Sequence, residues 1–345
     1  MKTMFMFPMM IQVFADMKTN TTTQTGSGKD LSVEMKTYYS DYLIDLAEPE
    51  LVHDQFGQKH PIPKNGGKTI EFRQYDPLPE MTTALTEGVT PDGQSLNVKK
   101  VEATVKQYGG YVTLSDMLML TAIDNNLVQA TKLIASQAGR TLDTITRDIL
   151  NAGTIVQYGS GSKTARANLV GGSATAADND YLTVDAIKKA VRTLEAQDAP
   201  KINGYYVGII HPNVKYDLMK DPDWKSPHEY VDTANIYKNE IGELYGVRFV
   251  QSSRAKVWED AGKDKSTGTE AASSRDVYST LILADDAYGV TDVSGGGLQH
   301  IVKQLGSAGS GDPLDQRATV GWKATKTAEI LVQQYMVRIE TTASA

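Results

Sequence analysis

The chain has 345 residues, of which 40% are hydrophobic and 22% are charged, so it can bury a substantial core and is long enough for two domains. Its formal net charge is −7, from 35 basic and 42 acidic residues, which gives no basic surface of the kind that drives direct, sequence-specific nucleic-acid binding. It has no cysteine, which excludes disulfides, thiolate metal sites and cysteine nucleophiles.

Residues 1–50 are predicted to form an N-terminal arm followed by a short helix. The apolar run at the start is interrupted by Pro8 and Gln12 and is shorter than the roughly 20 residues that a membrane span needs. Secretion is one interpretation of this run, and translation from Met17 is another. The polar stretch after Met17 is typical of a flexible arm, and residues 38–51 have the pattern of an amphipathic helix. No membrane association is expected.

Residues 51–114 are predicted to contain a long extended hairpin. Segments 68–75 and 98–108 have the composition of strands, and the second alternates apolar with polar residues. The apolar positions are Val101, Ala103 and Val105, and the polar ones are Lys100, Glu102, Thr104 and Lys106. Between the strands lies a polar tip, 76–97. Because an isolated two-stranded hairpin is marginal in water, we expect this one to lie on a neighbouring subunit.

Residues 115–182 are predicted to form a long spine helix and a connection. Apolar residues recur at three- and four-residue steps through 115–152, with Ser115 as the N-cap and Gly153 as the stop. Such a helix would extend over roughly 55 Å at about 1.5 Å per residue. The alternative is a two-helix segment broken near Gly139. The stretch 153–180, rich in Gly, Ser, Ala and Thr, is expected to be an exposed connection.

Residues 183–290 are predicted to form a separate α/β region. It should contain a helix at 183–197 capped by Thr183, a strand at 205–210, a helix at 213–220, strands at 247–251 and 279–284, and a surface loop at 259–274. Residues 291–345 then return to complete a sheet made with earlier parts of the chain, because 316–341 is rich in strand-forming residues.

Three segments approach known chemical motifs without completing them. The segment 228–232 has Asp232 where a zinc-protease helix needs its second histidine. The segment 159–164 lacks the glycines of a phosphate loop, and 306–311 lacks the order of a dinucleotide site. All three are better interpreted as ordinary loops or polar surface.

Isolated polar residues give no firmer indication of a site. The histidines are scattered without ligand spacing and are expected to be structural or exposed: His53, His60, His211, His228 and His300. Asp285, Asp286 and Asp292 could bind a divalent ion, although turn chemistry explains them equally well. We therefore predict no catalytic, cofactor-binding or metal-binding residues, no cofactor, and no enzymatic activity.

The order of the predicted parts resembles the major capsid proteins of tailed bacteriophages, whose α+β shell fold was first described in phage HK97. Four strings resemble the N4-like family of these proteins: DLAEPELVHDQFGQKHPIPKNGGKTIEFRQYDPL (45–78), LTEGVTPDGQSLNV (85–98), IGELYGVRFVQSS (241–253) and LGSAGSGDPLDQRATVGWKA (305–324). The resemblance extends over about 36–342. The arm is too short to contain a full scaffolding domain, and the 1–16 extension matches no feature of the family.

The resemblance implies an icosahedral shell of hexamers and pentamers that encloses double-stranded DNA without sequence-specific binding. The hairpin would overlie an adjacent subunit, 183–290 would be the apical domain, and the spine helix with 291–345 would form the peripheral domain. Scaffolding, portal and possibly decoration proteins would be partners, and the shell would be assembled in the bacterial cytoplasm as the head of the virion. An encapsulin-like nanocompartment shell, which encloses a cargo enzyme, is the alternative.

Overall fold

A computed structural model describes residues 52–61, 68–75, 78–90, 92–122, 126–159, 161, 163–175, 178–224, 240–266, 271–291, 298–307 and 311–344. The arm and short helix predicted for 1–50 lie outside these residues. Among the described residues, no helix is long and apolar enough to cross a membrane.

The fold contains sixteen strands and four α-helices within the described ranges. The helices are α1 Asp116–Thr121, α2 Asn126–Leu150, α3 Val184–Glu195 and α4 Pro212–Leu218. The first eight strands are β1 Gln58–His60, β2 Thr69–Tyr75, β3 Val98–Thr104, β4 Lys106–Ser115, β5 Val156–Tyr158, β6 Val170–Gly171, β7 Tyr206–Ile210 and β8 Glu240–Leu244. The others are β9 Val247–Gln251, β10 Val257–Asp264, β11 Ala271–Leu283, β12 Tyr288–Thr291, β13 Leu298–Lys303, β14 Arg317–Lys326, β15 Ala328–Ile330 and β16 Met336–Thr342.

The chain divides into two compact units. The smaller one includes residues 110–134 and 300–322, and the larger one is built from 45–109, 135–299 and 323–345. In the smaller unit, Leu114, Leu118 and Ala130 form a small apolar cluster, and a three-stranded sheet has the order β13-β14-β4. The backbone N–H of Asp116 donates to the carbonyl of Gln316 at 2.9 Å, which joins α1 to the segment before β14.

The larger unit is organised around a mixed sheet with the order β5-β16-β11-β7-β9-β8. The C-terminal strand β16 lies between β5, to which it is parallel, and β11, to which it is antiparallel. Strands β7 and β9 are parallel neighbours. The final strand of the chain therefore completes a sheet whose other members come from residues 156–283, as the β-rich composition of 316–341 predicts.

Both faces of this sheet are buried. Along β7, Tyr206 and Ile210 pack into a cluster with the apolar face of α3, whereas Val207 and Ile209 pack into a second cluster on the opposite face. This division follows from the two-residue periodicity of a strand. A sheet covered on both faces explains why β7 is apolar throughout.

The predictions for the α/β region are largely confirmed. Helix α3 begins after Thr183, whose side-chain oxygen accepts a hydrogen bond from the N–H of Ala186. Strands β7 and β9 and helix α4 occupy the predicted segments within one or two residues. In the hairpin, Ala103 is buried and the polar residues on either side of it are exposed, as the alternation predicts.

The predicted continuous spine helix over 115–152 is wrong. Ser115 is an N-cap, but the helix it starts ends at Thr121, and Ala122 has extended backbone angles. The long helix is α2, whose 25 residues extend over about 37 Å. The alternative break near Gly139 is also wrong, because α2 continues through this residue.

Two segments predicted as loops are ordered parts of the larger unit. The stretch 153–180 contains β5 and β6, and Leu169 and Val170 within it are buried. Arg166 in this stretch makes two hydrogen bonds, of 2.6 and 2.8 Å, to the buried carboxylate of Glu340 on β16. The segment 259–274 belongs largely to the antiparallel pair β10 and β11. The small and charged residues of both segments give no strand signal, because 153–180 becomes structured through pairing with strands far along the chain and 259–274 through the pairing of β10 with β11.

The regular helical structure of α2 can be tested at Gly139, in its interior. Gly139→Pro should lower the free energy of unfolding by about 3 kcal/mol or more, because proline removes the hydrogen bond to the carbonyl of Ala135 and clashes with the preceding turn. Gly139→Ala is the matched control and should be neutral or slightly stabilising. Urea unfolding of unassembled subunits measures both. Equal stability of the two variants would contradict a regular helix at this position.

Helix α4 should be sensitive to pH through its N-cap. The Nδ1 atom of His211 accepts a hydrogen bond of 3.2 Å from the N–H of Asn213, which requires the neutral imidazole, and burial against Tyr278 lowers the pKa of His211. A lowered folded-state pKa means that the unfolded chain binds the proton more readily. Stability from this residue is therefore complete above a pH of about 6.5 and declines as the pH falls towards the lowered folded-state value.

The substitution His211→Asn keeps a cap acceptor and removes this titration. Between pH 8 and pH 5.5, the urea midpoint of the wild-type subunit should fall further than that of His211→Asn. Parallel declines in the two proteins would show that His211 contributes nothing to the pH dependence.

Candidate assembly surfaces

The segment between β2 and β3 exposes apolar side chains that a monomer has no reason to expose. Within 78–90 and 92–97 the backbone forms no regular strand or helix. Leu85 is 75% exposed, and five neighbours are also largely exposed: Leu78, Met81, Val89, Leu96 and Val98. Large exposed apolar patches mark interaction sites in soluble proteins. We call residues 78–98 the tip.

The tip also has a distinctive charge. Between residues 78 and 97 it carries Glu80, Glu87 and Asp92 and no lysine or arginine. The backbone N–H of Val89 donates to the carbonyl of Thr86 at 3.2 Å, and the amide of Gln94 donates to the carbonyl of Pro79 at 3.1 Å, so short local contacts shape the tip. Its surface is therefore apolar and acidic.

The root of the hairpin, by contrast, is packed into the larger unit. Strands β2 and β3 pair in antiparallel register from Thr69↔Thr104 to Tyr75↔Val98. Phe72 is buried, and its ring meets the edge of His60 at a centroid distance of 4.8 Å. The same ring covers Gly289 on β12 so closely that a Cβ there would lie 2.6 Å from it. The hairpin is thus anchored at its base and exposed at its tip.

The smaller unit has an apolar surface of its own. Leu120 on α1 is 80% exposed, and Tyr111, Met117, Leu133, Ile301, Val302, Leu305 and Leu314 are also exposed. Together with the tip, these residues account for most of the large apolar side chains that are exposed within the described part of the chain. The sequence predicts the tip as a contact surface, but it describes the tip as polar, whereas six large apolar side chains are exposed there. It does not predict the second surface, because β13 and the turn after it carry no periodic signal that separates an outer face from an inner one.

A cluster of buried polar groups lies beside the segment that leads into the hairpin. The Nδ1 atom of His53 is 2.9 Å from Oδ2 of Asp143 on α2, and the backbone N–H of His53 donates to the other carboxylate oxygen at 2.9 Å. Burial alone would raise the pKa of Asp143, but the hydrogen bonds and charge of His53, with the charge of Lys326, hold it below its usual value. Asp143 is therefore an anion that His53 holds in place.

The neighbouring residue Asp54 completes this cluster. One carboxylate oxygen accepts a 2.5 Å hydrogen bond from the hydroxyl of Thr146 on α2, and the other pairs with the ammonium group of Lys326 on β14. The side chain of Lys326 has no exposure to solvent. The hydroxyl of Tyr288 donates to the carbonyl of His53 at 2.6 Å, and burial raises the pKa of Tyr288 well above its usual value. Six residues form what we call the buried polar cluster: His53, Asp54, Asp143, Thr146, Tyr288 and Lys326.

The structure places the other candidate residues where they support structure. His60 packs on Phe72, His211 caps α4, and His300 is exposed on β13. Asp285 accepts a hydrogen bond from the N–H of Asp286, and Asp286 has a positive φ of 54°, which is typical of a turn. His228, with the whole segment 228–232, and Asp292 lie outside the described residues.

No group of three or more potential metal ligands occurs within the described ranges. The segment 159–164 follows β5, where the N–H of Gly159 donates to the carbonyl of Glu340, so its described residues belong to the edge of the central sheet. The described residues offer exposed apolar contact area at the end of an anchored hairpin, which is typical of a structural subunit that associates with other chains.

Comparison with known proteins identifies the kind of assembly. The phage capsid protein family matches residues 98–332, more than half of the chain, and the chain therefore belongs to this family. It is a structural capsid protein of tailed phages and not an enzyme, as the sequence predicts. The match favours the phage shell over the encapsulin-like alternative, whereas the narrower likeness to the N4-like branch stays a prediction.

Solved capsids share the fold. The capsid of Ralstonia phage GP4 is similar at a TM-score of 0.65 and 15% identity, covering 94% of this chain and 99% of that one. The capsid of cyanophage P-SCSP1u has a TM-score of 0.61 at 11% identity, covering 94% and 98% of the two chains. The capsid of cyanophage Pam1 has a TM-score of 0.60 at 14% identity, covering 96% of this chain and 100% of that one. No curated protein matches the chain significantly in sequence.

The anchoring of the hairpin can be tested at Phe72. Phe72→Ala should lower the free energy that stabilises the hairpin root by about 3 kcal/mol, because it removes a buried ring and leaves a cavity against Gly289 and His60. The loss should be local: amide hydrogen exchange should accelerate in β2 and β3 and stay unchanged in β7. Leu85→Ala, at an exposed position of the tip, is the control and should alter neither. Unchanged protection of β2 and β3 in Phe72→Ala would show that the root is held by other contacts.

Proposed function

We propose that this protein is the major capsid protein that builds the icosahedral phage head, with the tip as a principal contact between subunits. The observation that carries the proposal is the contrast within one hairpin between a buried root and an exposed apolar tip. Burial of apolar surface contributes about 25 cal/mol per Å², so burial of the six exposed apolar side chains of the tip would stabilise association. This free energy is gained only when another copy covers them.

The parts of the chain then take the following roles. Residues 51–114 contain the hairpin that overlies an adjacent subunit, and 183–290 form the apical domain at the centre of hexamers and pentamers. The long helix in 115–182 and the returning segment 291–345 form the peripheral domain. β16 pairs with β5 of 115–182 and with β11 of 183–290, so the returning segment joins the two proposed domains through one sheet.

The interior of the shell holds double-stranded DNA without reading its sequence. The net charge of −7 supports this role, because a strongly basic lining would grip DNA that must move during packaging. Portal, scaffolding and decoration proteins complete the head, which is assembled in the bacterial cytoplasm. Many weak and repeated contacts let misplaced subunits leave and still make the closed shell stable.

The tip can be tested without disturbing the fold. The triple variant Leu85→Ser, Val89→Ser and Leu96→Ser should change the free energy of unfolding of the subunit by less than about 0.5 kcal/mol, because these side chains are exposed. It should reduce the yield of closed shells by about tenfold or more, because the loss recurs at every subunit contact. Electron microscopy and sedimentation of the expressed protein measure the yield.

A control variant keeps the chemistry of the tip. Thr82→Ser, Thr83→Ser and Thr90→Ser alter three exposed tip residues without removing large apolar area, and shells should form normally. If the apolar variant also assembles with wild-type yield, the tip is not a principal contact.

A further inference from the structure

The buried polar cluster joins residues 52–57, which we call the lead-in of the hairpin, to α2 and β14. Asp54 is linked to α2 through Thr146 and to β14 through Lys326, and His53 is linked to α2 through Asp143. Residues 52–57 thus make three side-chain connections within a single turn of chain. All of them are buried or nearly so, since the side chain of Asp54 is only 13% exposed.

The position of this lead-in is passed on to the hairpin by direct contacts. Four residues after Asp54, β1 pairs in parallel with β12, with Gln58 opposite Gly289. Tyr288, at the start of β12, donates to the carbonyl of His53, and Gly289 lies under the ring of Phe72 at the hairpin root. A shift of residues 53 and 54 therefore moves β1, and the contacts of β12 carry that shift to Phe72.

Stability alone does not account for the pair of Lys326 and Asp54. Removing two charges from water costs several kcal/mol for each ion, and apolar residues of similar size are often equally stabilising or more so. Lys326 is the one lysine that is fully buried within the described ranges, in a strand where alanine, valine, glycine and tryptophan fill the other buried positions. An ion pair differs from an apolar contact in being directional, so it favours one placement of the lead-in over neighbouring ones.

We propose that Lys326 and Asp54 are positioning residues for assembly: they fix the lead-in against α2 and β14 so that the hairpin leaves the subunit in one direction. This inference rests on the proposed role of the tip. A shell repeats the same contact at every subunit, so a hairpin root with several placements gives irregular contacts even when each subunit is folded. The pair is retained for geometry and not for the free energy of unfolding.

The test replaces the polar connections of Asp54 as a set. The triple variant Asp54→Leu, Thr146→Val and Lys326→Met leaves no partner of this pair buried alone. We expect its thermal midpoint to equal or exceed that of the wild type, while the yield of regular shells falls by about tenfold. Amide exchange in soluble subunits should accelerate in β2 and β3 and stay unchanged in β7. Lys326→Met alone should lower the midpoint, because it leaves Asp54 unpaired.

Lys323→Met, at an exposed lysine of the same strand, is the control and should change none of these quantities. Regular shells at wild-type yield from the triple variant, with unchanged exchange in β2 and β3, would overturn the inference. A triple variant that fails to fold, or whose loss of thermal stability accounts for its loss of shells, would also overturn the inference. The pair would then be an ordinary structural contact. If the wild type itself forms no shells, the proposed function fails, and the exchange in β2 and β3 still decides whether the pair positions the hairpin.

Discussion

The insertion of β16 between β5 and β11 is the interaction on which the larger unit depends. This strand is the last of the chain, and its seven residues are all buried. Without it, β5 would be separated from the central sheet, and β11 would lose one of its partners over Val277–Leu283. Because β16 follows every other strand of this sheet in sequence, the sheet is complete only when residues 336–342 are in place, which links the two apolar clusters to this segment.

The same strand carries two buried charges. Arg338 and Glu340 lie on one face of β16, where Glu340 accepts hydrogen bonds from both Arg338 and Arg166. The guanidinium carbon of Arg166 lies 3.6 Å from the centroid of the Trp258 ring. One carboxylate with two guanidinium groups is satisfied by hydrogen bonds, so the burial of these charges is compensated. These contacts join β16 to the stretch after β5 and to β10. They fix the relative position of the three segments more specifically than apolar packing alone would.

The molecule separates the apolar residues that form its core from the exposed ones that we propose for association. Apolar residues of the larger unit's core are almost completely buried, whereas those of the tip and several of the smaller unit, such as Leu120, are exposed. Rigid anchoring matters because flexible segments lose more conformational entropy when they bind. An exposed tip on an ordered root therefore retains more of its apolar contact energy for association than a free loop of the same composition would.

The sequence by itself determined the elements whose signals are local. The alternation around Ala103 specified β3, Thr183 specified the start of α3, and the apolar run of β7 specified a buried strand, because side-chain periodicity and capping act within a few residues. It also indicated the class of protein, because the order of the predicted parts resembles phage capsid proteins, and the family match over residues 98–332 confirms that class. The ordered roles of 153–180 and 259–274 could not be predicted, because β5 pairs with β16 and β6 with β10, far along the chain, whereas β10 and β11 form a hairpin without an apolar pattern. Only the tertiary structure decided that α1 ends at Thr121, and that His53, Asp54, Asp143 and Lys326 meet, because long-range packing brings together charges that no spacing in the chain relates.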